Sequence, residues 1–155
     1  MTALDAVSAY IPATVIPIEQ IVHPDGLPTA QARVFRRFYG LGEVRWDPDA
    51  KLAEILLAAA RKLTALHGRE HLVRYVIAAR TLQNVVPEPV NVLQQVCEGL
   101  GLGHATTFAV TQHACASGLL AIDLAGRGGR LGPGDRYLMV AVGLGATFSA
   151  MVFEH

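Results

Sequence analysis

Cysteine is scarce: Cys97 and Cys115 are the only two in 155 residues. They stand on segments that read as separate helices, without metal-ligand spacing. This fits a reducing compartment better than a disulfide framework, with the cytoplasm as the default. An excess charge of either sign is also missing. Thirteen Lys plus Arg balance thirteen Asp plus Glu, so no global field draws nucleic acid or an anionic membrane. No run approaches the roughly 18 apolar residues that a membrane span needs. Met1 to Tyr10 has no basic region or long apolar stretch of the kind a secretory signal carries, so the chain reads as soluble and unprocessed. Histidines are few and scattered: His23, His67, His71, His104 and His155 read as loop or helix-end residues, and no metal site is expected.

What the chain does have is apolar bulk. At 52% hydrophobic residues it suits a single domain with a real core. Leu4 to Tyr10 reads as a buried first strand closed by Ile11-Pro12. The prolines and glycines between Ala13 and Asp49 predict an irregular excursion with a short helix at Ala30 to Phe38. Asp49 then suits the cap of a helix in which Leu52, Ile55, Leu56, Ala59, Leu63 and Leu66 recur at three and four, with Gly68 as the stop.

Leu72 to Ala79 is apolar on both faces, as a central parallel strand should be. A turn at Asn84 to Pro89 and a helix over Val90 to Leu100 follow, then a strand at Ala105 to Val110 and a helix at Cys115 to Ala125. Strands at Tyr137 to Val142 and Thr147 to Phe153 complete the order β-α-β-α-β-α-β-β. Gly99-Leu-Gly-Leu-Gly103 and Gly143-Leu-Gly145 do not lead from strand to helix, so they read as turns and not as dinucleotide signatures. The helix at Cys115 to Ala125 keeps only Ser117 and Asp123 polar. A helix apolar all round is covered on both sides, so a further layer from another domain or another chain is expected.

Cys115 lies in Thr111-Gln-His-Ala-Cys-Ala-Ser-Gly118, where a strand passes into a helix. Free N–H groups and the positive dipole end of a helix favour a thiolate there. The small neighbours Ala114, Ala116 and Gly118 would let a flat thioester approach, and the same N–H groups suit an oxyanion. The alternative is a small buried core residue. His113, two residues earlier, shares the side of residue 115 only if strand alternation persists through the turn. It is the one nearby candidate base.

Several segments together resemble the thiolase superfamily, and within it the type III β-ketoacyl-acyl-carrier-protein synthases. They are Ala9-Tyr-Ile-Pro12, Phe38-Tyr-Gly-Leu41 with Val44-Arg45, Asn84 to Leu100, Val110 to Gly118 with Leu119 to Ala125, and Gly129-Arg-Leu-Gly-Pro-Gly-Asp135 with Tyr137 to Ser149. The resemblance implies a thiolase-like α/β half-domain over residues 1–155, with a mixed five-stranded sheet and helices on both faces. Residues 1–126 resemble the family's N-terminal half and 129–155 the end of its C-terminal half.

It also implies acyltransferase or condensing chemistry of fatty acid or polyketide synthesis, with Cys115 as acyl-thioester nucleophile. Acyl-coenzyme A or an acyl carrier protein would be substrate, and no cofactor would be permanently bound. The family's catalytic His and Asn motifs have no counterpart here, so a non-catalytic remnant or dimerising partner subunit is the alternative. Arg33, Arg36, Arg37 and Arg45 suit the phosphates of coenzyme A or of a phosphopantetheine arm, with a solvated helix face as the other reading. Where many relatives have a tryptophan before the matching region, this chain has Val34 and Phe35, and Trp46 lies downstream. Relatives dimerise through the strand before the nucleophile, which implies a homodimer through 105–110. The apolar helix 115–125 would join it.

Overall fold

The computed structural model describes residues 2–21, 29–80, 91–111, 113, 116–127, 131–143 and 147–155. The expected turns at 84–89 and 144–145, His23, and Cys115 itself lie outside the described residues. In chain order the elements are β1 Ala3–Tyr10, β2 Val15–Pro17, α1 Thr29–Tyr39, β3 Glu43–Arg45, α2 Leu52–Ala60 and β4 Val73–Arg80. They continue with α3 Val92–Gly99, β5 Thr106–Val110, α4 Ser117–Arg127, β6 Arg136–Gly143 and β7 Thr147–Glu154. Two compact units emerge: residues 1–10 with 51–155, and residues 11–50.

The larger unit is a mixed five-stranded sheet in the order β1-β7-β6-β4-β5. β4 runs parallel to β5 and β6, while β7 is antiparallel to both β6 and β1. α2 and α3 pack on one face and α4 on the other, as two crossovers returning on opposite sides require. This is the expected α/β architecture. The doubly covered strands β4 and β6 bury Val73, Val76, Ile77, Tyr137, Leu138 and Val140, which is why their sequences show no polar alternation. Tyr137 stacks on Phe153 at 4.8 Å between ring centroids, and its burial pushes the phenol up to about 12.

Three expectations change. β1 is an edge strand and not a buried one: it pairs only with β7, and Leu4 and Val7 are 55% and 62% exposed. α2 starts beyond Lys51, whose backbone N–H donates to Glu54, so Asp49 is not the cap. It also ends at Ala60, well before Gly68. From there Lys62 and Leu63 donate to Ala59 and Ala60, an i→i−3 pattern that tightens the chain into 3-10 turns and still buries Leu63 and Leu66. α4 begins at Ser117 and runs to Arg127. Its inner residues Ser117, Ala121 and Ala125 are buried, but Leu119 is 73% exposed within this chain. The apolar outer face foreseen from sequence is therefore present and uncovered.

α3 shows how the glycine-rich turn works. Asn91 caps it by accepting from the Gln94 N–H. At the other end Leu102 N–H donates to Cys97 O across Gly101, which has φ of 71°, and Leu102 is buried. This is a Schellman ending, in which the glycine tolerates the left-handed conformation. Gly101→Ala is expected to cost about 1 kcal/mol of unfolding free energy, read from the urea midpoint.

Asp135 organises the entry to β6. Its carboxylate accepts from Gly132 N–H at 2.7 Å and from Arg74 Nε at 2.8 Å, while its carbonyl accepts from His155 N–H. The Gly132 N–H, then the Arg74 guanidinium, hold the carboxyl below its ordinary range. A carboxyl depressed by folding adds stability that is present above its unfolded pKa and is lost as pH falls through the folded one. The advantage of the wild-type chain over Asp135→Asn should therefore be complete at neutral pH and fade in acid below the ordinary carboxylate range. Thermal melts across pH would show it; a difference independent of pH would contradict the ionic account.

The smaller unit is a two-stranded antiparallel ribbon, β2 with β3, beside α1. Ile18 N–H donates to Gly42 O, and Ile18 and Ala32 are buried. α1 matches the helix expected at 30–38. The ribbon was not foreseen, because three-residue strands are too short to show a period.

Candidate functional site

The topology selects one end of the sheet. β4 and β5 are neighbours in parallel, yet the chain leaves β4 for α3 on one face and leaves β5 for α4 on the other. In open α/β sheets, connections that diverge in this way mark the carboxyl ends of the two strands as the place where ligands bind. Arg80 closes β4 at this end, and Val110 and Thr111 close β5. His113 follows and is exposed.

Two hydrogen bonds fix the entry into α4. Ala116 N–H donates to His113 O at 2.9 Å. The buried Ser117 then donates from Oγ to Arg80 O at 3.0 Å, tying the first turn of α4 to the end of β4. The described residues on either side of Cys115 thus place its chain position between the carboxyl end of β5 and the N-terminus of α4. Backbone N–H groups at such an end favour an anion or a thiolate. Ser117 and Arg80 were not foreseen as framing residues: nothing in the local sequence reveals that the backbone of residue 80 meets residue 117.

Cys97 has a different environment. It is buried on α3 beside a cleft of about 260 Å3, with Asn91, Gln94, Glu98, Gly103, Ala105 and Thr107 also lining it. Burial, and secondarily the Glu98 charge, push its thiol up. A thiol held in the protonated form is a poor nucleophile, and Cys97 serves as core.

The arginines singled out from sequence all lie in the unit 11–50. Arg36 pairs with Glu19 at 2.8 Å and reaches Gly42 O, and Arg45 donates to Ala13 O at 3.2 Å. Both brace their own unit. The Arg37 guanidinium lies 6.0 Å from the Phe38 ring centroid, a cation–π distance, and Arg33 is exposed. Among the described residues no group of His, Cys, Asp and Glu side chains is arranged to hold a metal ion, and no helix is long and apolar enough to cross a membrane.

Solved structures share this arrangement over almost the whole chain. ChlB3, described as an acyltransferase, superposes with a TM-score of 0.76 at 18% identity, covering 98% of this chain and 50% of that one. The fold is a thiolase-like half-fold. A variant of OleA from Xanthomonas campestris gives 0.74 at 20% identity, covering 99% of this chain and 56% of its own. The priming β-ketosynthase of a polyketide biosynthetic pathway gives 0.73 at 18%, with 99% and 50% covered. The chain therefore spans about half the length of these structures, and at such identities the likeness is one of fold. No protein-family model matches the chain, and no curated protein matches it in sequence.

Proposed function

We propose that this half-fold performs, or contributes to, acyl transfer of the type III ketoacyl synthase kind, with Cys115 as the nucleophile. The supporting observation is that β4 and β5, parallel neighbours, send the chain to opposite faces of the sheet, with Ser117 in the first turn of α4 bonded to the Arg80 carbonyl at that end. The Cys115 thiolate would attack the carbonyl carbon of an acyl-coenzyme A or acyl-carrier thioester. The new C–S bond forms as the old one breaks, and the departing thiolate takes a proton from solvent. His113 is the nearest candidate to take the thiol proton. Of the arginines, Arg37, beside the Phe38 ring, would be the first to meet a phosphate, whereas Arg36 and Arg45 would have to leave their partners. The reading takes residues 1–155 as one half-fold, cytoplasmic and homodimeric, with contacts through strand 105–110 and helix 115–125.

Incubation with acyl-coenzyme A followed by peptide mass spectrometry should find the acyl group on Cys115 and not on Cys97, whose thiol is held protonated by burial. Cys115→Ala should abolish the adduct. Labelling of Cys97 instead, or no adduct with a range of acyl donors, would refute the proposal. A second reading, a non-catalytic dimerising subunit, is favoured by the exposed apolar face of α4. It expects a folded dimer that never acylates.

A further inference from the structure

We propose that Ser117 is a positioning residue for the Cys115 thiol: its hydroxyl, held by the Arg80 carbonyl, fixes the start of α4 against the end of β4. The inference rests on the reading of Cys115 as nucleophile and adds to it a residue two positions downstream. Ser117 and Arg136 are the two buried polar residues among those described. Arg136 opens β6, at the amino end of the parallel strands. Ser117 lies at the opposite end, beside the last residue of β4. Packing does not call for its oxygen. Ser117, Ala121 and Ala125 recur at four residues along α4, and all three are buried. Alanine at 117 would continue this stripe, and a buried hydroxyl gains little net stability because it gives up water for its partner.

What the oxygen adds is direction. The β4–β5 register ends at Ala79 opposite Val110. Past that ladder the Ser117 hydroxyl, 3.0 Å from the Arg80 carbonyl, is the polar tie between α4 and β4 among the described residues. The bond also turns the hydroxyl away from its own helix. A serine at a helix start ordinarily accepts from an N–H of the first turn, but here it donates to another strand. Gly118, next in the chain, has no described atom within 4 Å of where a side chain would begin. Neither residue's side chain therefore competes for the N–H groups of the first turn. The end of a helix acts on charge only within about one turn, so a small tilt of α4 changes how strongly it favours a thiolate. The described charged or titratable groups at this end are Arg80 on β4 and His113 ahead of α4, while β5 and β6 close on Val110 and Gly143. Asp123 and Arg127 pair with each other further along α4. A change at 117 leaves all of these in the chain.

The test is alkylation of the full chain by iodoacetamide across pH, with peptide mass spectrometry separating Cys115 from Cys97. Ser117→Ala should move the midpoint of Cys115 alkylation up by roughly one pH unit. At neutral pH it should slow both alkylation and acylation by acetyl-coenzyme A roughly threefold to tenfold, since a thiolate that forms less readily is partly compensated by its higher nucleophilicity. Ser117→Thr keeps the hydroxyl and should recover most of the rate. Gly101→Ala strains a turn ahead of β5, at the other end of the sheet. It should lower the melting temperature and leave the Cys115 midpoint where it was. An unchanged midpoint in Ser117→Ala, or an equal shift in Gly101→Ala, would overturn the positioning role. So would a Ser117→Thr chain that melts like the wild type yet reacts like Ser117→Ala. A midpoint shifted by Ser117→Ala with no acylation from any donor would support the positioning of the thiol and overturn acyl transfer instead.

Discussion

Replacing Arg136 by methionine should lower the unfolding free energy by about 3 kcal/mol, a large share of the 5–15 kcal/mol typical of a domain. Arg136 begins β6, and its side chain is only 4% exposed. The guanidinium donates to Asp5 on β1, to Glu154 on β7 and to Ala65 O in the turn after α2. One cation thus ties β7, and β1 beyond it, to the turn that closes the helical layer. Methionine fills much of the volume but leaves two carboxylates facing each other and a carbonyl without its donor. Asp5 and Glu154 are partly exposed, so water relieves some of this cost; otherwise it would be larger. Lysine should recover only part, because an ammonium lacks the planar fork that serves three acceptors. Urea unfolding with an unchanged slope and a lower midpoint would show it, and a loss under 1 kcal/mol would mean that solvent already screens the cluster.

Leu56→Ala should be similarly damaging, at about 3–4 kcal/mol. Leu56 is at the centre of α2 and almost wholly buried; the helix packs on β1, β7 and α3. Truncation removes three carbons from a helix packed on three elements that cannot all collapse inward. The sharp contrast is with Leu119→Ala on α4. Both are leucines in apolar helices, yet the second should cost the isolated chain little, because its side chain is already in water. Chemical denaturation of both variants at low protein concentration would show the difference. Equal losses would mean that Leu119 is covered even in the monomer.

Much of this was legible in the chain itself. β4 was readable as central because Tyr75 to Ala79 carries apolar residues at consecutive positions, and only a strand covered on both faces tolerates that. α3 and its Gly101 ending were readable because helix periodicity and a glycine stop are local. The apolar character of α4 was readable too, with Leu119 and Leu124 found exposed on it. The passage from β5 to α4 was equally local, with strand and helix found at Thr106–Val110 and Ser117–Arg127.

Other features depended on which distant segments meet. β1 had the composition of a buried strand, and only the order β1-β7-β6-β4-β5 made it an edge with Leu4 and Val7 outside. Nothing near Arg136 indicates that Asp5, 131 positions earlier, will be its partner. Nor does anything near Ser117 foretell Arg80.

The sequence by itself determined the period of each long element and the turns that need glycine. These depend on bonds and sterics within a few residues. The tertiary structure alone decided which strand became an edge, which arginines were already committed, and which apolar face was left open. Those outcomes depend on pairing between segments far apart in the chain, where local preference carries no information.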